Sequence, residues 1–230
     1  MRAKRLGIQF QRAATFKIPN SIVINGDRKL LSLPDEEGIK VAFVEIFLDD
    51  CYGLKQLPPS IHKILDIGAN VGLFSVAARH QFPQALIHAY EPNPHLENYL
   101  QLQAHTVGFD YFMEAVGLSE GKVSLEFNQD SVLTRSRVEE SGEIPQVAFS
   151  KAIERLGGAV DLAKIDCEGA EWLLFQNPEA WQSIQNLSME YHLFQGQKHD
   201  QVRQIIQNLG FQVKQQIPIE NYGLLLAFRQ

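Results

Sequence analysis

Asp66, Glu91, Asp166, Glu190 and His192 each lie within or at the end of a short apolar run. In a layered α/β protein, strand ends are where ligands and catalytic side chains meet. Glu190 and His192 are two apart, so on a strand they project to one side. If the runs ending at Asp166 and His192 form neighbouring strands, two carboxylates and an imidazole converge at one edge. Such a set can bind a divalent cation such as Mg²⁺ or Mn²⁺. It can also make His192, with an ordinary pKa of about 6.5, a general base oriented by an acid. The base role is the preferred expectation, with Asp166 and Glu190 orienting the ring or holding a cation. Plain structural hydrogen bonding of the three is the competing account.

A second group surrounds a glycine turn. Ile61–Ile67 is an apolar, β-branched run with one acid, the pattern of a strand buried on both faces. It leads into Asp66-x-Gly68-x-Asn70-x-Gly72, then an apolar helical stretch. A dinucleotide fingerprint would carry a second glycine where Asn70 stands, so the turn is a poor phosphate cradle. An acid and an amide suit a ligand with an amino-acid head. Glu91 closes the next apolar run, nineteen residues past Gly72, where an acid can accept both hydroxyls of a ribose. Amino-acid head plus adenosine describes S-adenosylmethionine.

The elements that must position these residues follow from periodicity. Ser21–Ser32 predicts a β-hairpin turning at Asn25-Gly26. Ile39, Phe43, Ile46 and Phe47 predict a helix over 35–50, with Asp35 able to cap it and Asp49-Asp50 ending it. Residues 1–60 are expected to form an extension, a candidate lid over residues 61–230, with plain packing on the core an equal alternative. Beyond Ile67, helices are predicted over 72–81, 94–105, 151–156, 170–176 and 199–209. Strands are expected at 85–91, 109–116, 122–127, 146–150, 161–166, 186–192, 211–216 and 223–228. Residues 128–145, with Ser131, Thr134, Arg135, Ser136 and Arg137, read as an irregular substrate loop. Alternation of strand and helix gives a doubly wound, mostly parallel α/β sheet with helices on both faces.

Composition narrows the class. The 230 residues suit one α/β domain with an extension, and 45% hydrophobic content supports a full core. A net charge of −6 argues against general nucleic-acid binding. Two cysteines with no CxxC pair point to a reduced, cytoplasmic setting. No apolar run reaches the roughly 18 residues of a membrane span, and the basic start lacks a secretory apolar core. Glu168 and Glu171 fall near a helix start, where acids are favoured in any case. His88 reads as a core residue, and Trp172 and Trp181 as core packing.

Taken together, Leu65–Ser75, Glu91-Pro92 and Lys164-Ile-Asp-Cys-Glu-Gly-Ala-Glu171 resemble the FkbM family of S-adenosylmethionine-dependent methyltransferases, over about residues 43–228. Cys167 replaces the valine usual in the last motif. The resemblance implies a class I methyltransferase sheet of seven strands, the last antiparallel, and O-methylation of a hydroxyl on a small metabolite, polyketide or sugar. It implies that Asp66, Gly68, Ala69, Asn70 and Gly72 hold the methionine part of S-adenosylmethionine, and Glu91-Pro92 the ribose. Glu114, Ala115 and Val116 would border the adenine. Asp166 would stand beside the cofactor, at a place that resembles a metal-ligand position of catechol-type O-methyltransferases. Glu190 and His192 would fall near the other ligand positions. The N-P-P-Y sequence of nucleobase methylation is absent after the fourth strand. Two rivals stand beside this reading: a nicotinamide-dependent oxidoreductase, and a non-catalytic protein retaining the cofactor pocket.

Overall fold

The computed structural model describes residues 17–126, 135–138, 142–194 and 196–229. Its centre is a seven-stranded sheet in the order β12-β13-β11-β10-β3-β4-β5. These strands are β3 (Lys63–Ile67), β4 (Leu86–Tyr90), β5 (Asp110–Phe112), β10 (Val160–Ile165), β11 (Ile184–His192), β12 (Phe211–Ile219) and β13 (Tyr222–Arg229). All pair in parallel except β13, which runs antiparallel to both neighbours. This is the doubly wound architecture expected, with the antiparallel strand last.

Alternation along the central strands divides their side chains between two cores. Ile64, Ile87, Ala89 and Leu162 enter one core with helices α2 (Leu73–Gln81) and α3 (Glu97–Val107). Leu65, Ile67, Ala163, Ile165 and Met189 enter the other with α4 (Phe149–Arg155) and Trp181 of the short α6 (Pro178–Trp181). Full burial on both faces is why these strands read as nearly unbroken apolar runs. Short α5 (Glu171–Leu174) follows β10, and α7 (His199–Asn208) precedes β12.

The N-terminal segment joins the first core. Hairpin β1 (Ser21–Ile24) and β2 (Asp27–Leu30) turns at Asn25 and Gly26, both with positive φ as the pair requires. Helix α1 (Glu37–Val44) continues into one wider turn over Glu45–Asp49. Phe43, Phe47, Tyr52 and Leu54 pack in one cluster with Ile64 and Phe74. Asp35 does not cap α1. Glu36 occupies the cap position, while Asp35 pairs with Lys40 at 2.8 Å. Asp50 ends the helix as expected, at φ 59, and its carboxylate accepts the Leu54 and Lys55 N–H groups.

Two strand expectations change. The single strand over 109–116 is two: β5 pairs with β4, whereas β6 (Ala115–Gly117) pairs with β9 (Ile144–Ala148) in a second sheet. Between them lie Met113 and Glu114, whose carboxylate meets the Arg155 guanidinium at 2.5 Å. The stretch 128–145 is not wholly irregular, because β8 (Arg135–Val138) pairs with β7 (Gly121–Glu126) and completes the order β6-β9-β7-β8. Ser131 and Thr134 lie outside the described residues.

Candidate active site

A cavity opens at the carboxyl ends of β3, β4 and β10. The sequence-derived residues Gly68, Ala69, Asn70, Glu91, Pro92, Glu114, Ala115, Val116 and Asp166 line it, joined by Lys164 and Glu168. Ile39 and Ala42 of α1, Ile46 of the wider turn after it and Tyr52 close one wall, so the N-terminal segment contributes directly to the site. Asp66 and Gly72 are near it but not on the wall. A Cβ at Gly72 would meet Leu100 and Phe109.

The glycine turn is built by backbone geometry. Gly68 and Ala69 both donate N–H to the Tyr90 carbonyl, and Asn70 adopts φ 49, where asparagine is tolerated. Asn70 Oδ1 accepts the Val71 N–H at 2.8 Å, so its side chain shapes the turn. The Asn70 N–H donates to Glu91 Oε2 and the Asn93 N–H to Glu91 Oε1, both at 2.8 Å. Each oxygen of this buried carboxylate accepts one backbone N–H and keeps a lone pair for a ligand. That is the arrangement a ribose diol needs. Burial pushes the Glu91 carboxyl up to about 7, against the lowering bonds from Asn93 and Asn70.

Behind the turn runs a buried polar row across three strands. Lys164 stands beside Asp66 on one side and Ser188 on the other. Lys164 Nζ lies 3.5 Å from Asp66 and 3.7 Å from Asp166, and donates to the Gly68 carbonyl at 2.6 Å. Ser75 Oγ donates to Asp66 at 2.6 Å. Burial still raises the Asp66 carboxyl, although Lys164 and Ser75 oppose it. Burial alone would lower Lys164, but Asp66, Asp166 and Glu190 outweigh it and hold the ammonium above its ordinary value. Asp66 therefore anchors Lys164 and the first turn of α2, and does not itself face the cavity.

Tyr52 covers this row. Its hydroxyl donates to Asp166 Oδ2 at 2.8 Å, and its carbonyl accepts from Ser188 Oγ at 2.8 Å. Tyr52→Phe is expected to keep the fold, costing about 1.5–3 kcal/mol for the lost bond to a charged group. Urea unfolding of the two proteins checks this.

Beyond Asp166 lie the ends of β10 and β11. His192 Nε2 faces Glu168 at 3.4 Å and Glu190 at 3.6 Å, while Nδ1 faces Glu171 at 3.7 Å. Trp172 Nε1 donates to the His192 carbonyl, and Tyr222 stacks on the ring. Burial would lower His192, but Glu171 and Glu168 push it up to about 9. Burial and the neighbouring Asp166 raise Glu190 as well. Asp166, Glu190 and His192 are brought together as anticipated, but Glu190 and His192 stand back from the cavity wall. Glu168, held at φ 52, takes the forward position. The sequence offered Glu168 only as a favoured acid near a helix start. Tyr52, 114 positions from Asp166, gave no signal.

Against this geometry the relatives can be set. The family model described as the methyltransferase FkbM domain matches residues 66–213, which spans the turn, Glu91 and the acidic cluster. "Methyltransferase sdnD" of Sordaria araneosa is 27% identical, covering 82% of this chain and 89% of its own length. "31-O-demethyl-FK506 methyltransferase FkbM" of Streptomyces tacrolimicus is 30% identical over 61% of this chain and 52% of its own. Aeropyrum pernix fibrillarin, solved with natively bound S-adenosyl-L-methionine, is similar in fold, with a TM-score of 0.51 at 12% identity. That match covers 82% of this chain and 74% of the other. The oxidoreductase alternative gives way to these matches: the chain belongs to the FkbM methyltransferase family.

Proposed function

We propose that this protein is an S-adenosylmethionine-dependent O-methyltransferase acting on a hydroxyl of a small metabolite, polyketide or sugar. The observation that carries the reading is the Glu91 carboxylate, pinned by two backbone N–H groups in the wall of a cavity that ends at Asp166 and Glu168. When bound, the cofactor supplies a methyl already activated on a sulfonium. Glu91 would accept the ribose hydroxyls, the Gly68–Asn70 backbone would face the methionine part, and Ala115 and Val116 would flank the adenine. Asp166 and Glu168 would hold the acceptor hydroxyl and draw off its proton as the oxygen takes the methyl. Alignment of that oxygen can supply roughly 7–11 kcal/mol of the barrier reduction. His192 and Glu190 then act as positioning residues behind the two forward carboxylates. The Streptomyces relative's name, which places its methyl acceptor at an oxygen, supports the hydroxyl assignment.

Calorimetry with S-adenosylmethionine, S-adenosylhomocysteine and NADH tests the cofactor, followed by release of S-adenosylhomocysteine across a panel of hydroxylated acceptors. Heat with NADH alone would end the reading. Asp166→Asn is expected to lower turnover at least about 100-fold, the scale of a lost acid–base contribution. Near-normal turnover would remove Asp166 from the chemistry.

The cofactor's pH dependence has a definite sign. Ribose hydroxyls donate to an ionised carboxylate and so lower the Glu91 pKa in the complex. Binding near or below pH 7 must then release a proton. Affinity rises with pH, by at most about tenfold per unit, and levels off above about 7. Titrations in buffers of different ionisation enthalpy at pH 6 and 8 check it. Glu91→Ala should weaken binding and flatten the profile.

A further inference from the structure

We infer that the ends of β10 and β11 form a divalent-metal site, with Asp166, Glu168 and His192 Nε2 as ligands and Glu190 beside them. The inference deepens the proposed O-methyltransferase reading by naming what would meet the acceptor oxygen.

Three observations carry it. One ligand atom from each of Asp166, Glu168 and His192 lies within 4.8 Å of the others, and all three side chains are only partly exposed. About an octahedral ion with ligands near 2.1 Å, neighbouring ligand atoms sit about 3.0 Å apart and opposite ones about 4.2 Å. The present spacing, within 4.8 Å, lies close to that range. The 3.4 and 3.6 Å separations of His192 Nε2 from Glu168 and Glu190 already approach it.

Charge is the next observation. Among the described residues Asp66, Asp166, Glu168, Glu171 and Glu190 crowd this edge, and the cationic side chains paired with them are Lys164 and His192. Five carboxyl groups against two such partners leave an excess that burial makes costly. A divalent cation offsets it.

The last observation concerns Glu171, whose side chain is fully buried. Its Oε1 accepts the Cys167 N–H and lies 3.7 Å from His192 Nδ1, while Oε2 has no hydrogen-bond partner. His192 Nδ1 also makes no hydrogen bond. Proteins orient a metal-ligating histidine by a hydrogen bond from its second ring nitrogen to a carboxylate, and Glu171 stands 3.7 Å behind Nδ1 in the place such a partner takes. The Trp172 bond to the His192 carbonyl and the Tyr222 ring hold the residue in that pose. Mixed carboxylate and imidazole ligation suits Mn²⁺ or a later first-row ion better than Ca²⁺. Asp166 and Glu168 reach the cavity wall, so an open coordination position would face an acceptor hydroxyl and make it more acidic.

The test titrates Mn²⁺ into cofactor-free protein and follows the free-ion electron paramagnetic resonance signal. Expected is saturable binding of about one ion per chain, with a rise in melting temperature. Electron spin-echo spectra of the complex should show ¹⁴N modulation from the imidazole. Glu168→Gln should weaken binding at least about tenfold, and His192→Ala should abolish the ¹⁴N modulation. Glu97→Gln, on exposed helix surface, should change neither. Should His192→Ala fail to fold, the wild-type ¹⁴N signal and Glu168→Gln still decide. No saturable binding below about 1 mM, or binding indifferent to Glu168→Gln with no ¹⁴N signal, overturns the site and leaves an ion cluster around His192. Since neither cofactor nor acceptor is present, this outcome is separate from failure to release S-adenosylhomocysteine.

Discussion

Lys164→Met is expected to destabilise the protein by about 3–5 kcal/mol, the usual result of removing one partner from a buried charged group. The ammonium is 3% exposed and serves Asp66, Asp166 and the Gly68 carbonyl together. Methionine fills the volume but leaves Asp66, which is fully buried, with only the Ser75 hydroxyl. In a chain of this size the loss corresponds to a melting temperature roughly 6–20 °C lower. A second variant separates charge from packing. Asp66→Asn combined with Lys164→Met removes both halves of the pair, so it should lose less than the sum of the singles, with a coupling of about 0.5–3 kcal/mol. Urea unfolding of all four proteins measures the cycle. Strict additivity, or a single-variant cost below about 1 kcal/mol, would show that the row is held by packing and not by charge.

How much of this was legible follows from what each residue's position depends on. The strands of the main sheet were readable because burial on both faces forces an apolar run, and the runs ending at Ile67, Glu91, Asp166 and His192 all pair as neighbours in the order required. Asp166, Glu190 and His192 could therefore be brought to one edge from sequence alone. What sequence could not supply was depth. Whether Glu168 or His192 stands forward depends on the positive φ at Glu168 and on how the imidazole is seated among three carboxylates behind the cavity wall. Lys164 was in plain view as a cation inside an apolar strand, a pattern that calls for a buried acidic partner. Tyr52 was not legible, because its contact with Asp166 depends on how the whole N-terminal segment seats on the sheet. The break between β5 and β6 was hidden because apolar residues lie on both sides of it; Met113 and Glu114 form the connection, and Glu114 pairs with Arg155.

The same turn that the proposed function assigns to the cofactor sets the harshest constraint on sequence. Gly68→Ala is expected to cost more than about 4 kcal/mol, or to prevent folding. A Cβ at Gly68 would come within 1.6 Å of the Asp166 carbonyl oxygen and 2.7 Å of its carbon, both backbone atoms. Neither can yield without parting β3 from β10, since the Asp166 N–H donates to the Ile67 carbonyl at 3.0 Å. Gly68 also holds φ +75, which itself costs an L-residue about 1–2 kcal/mol. Gly26→Ala isolates that second contribution. Gly26 has φ +91 but open space where the Cβ would lie, so it should lose only about 1–2 kcal/mol. Thermal and urea unfolding of both variants, with S-adenosylmethionine calorimetry on whatever folded Gly68→Ala can be recovered, reads the difference. Binding by that material should fall at least about 100-fold, because the backbone carrying Ala69 and Asn70 must shift away from Glu91. Equal costs at the two glycines would mean that the β3 and β10 turns are not in the close register on which the proposed cofactor cradle depends.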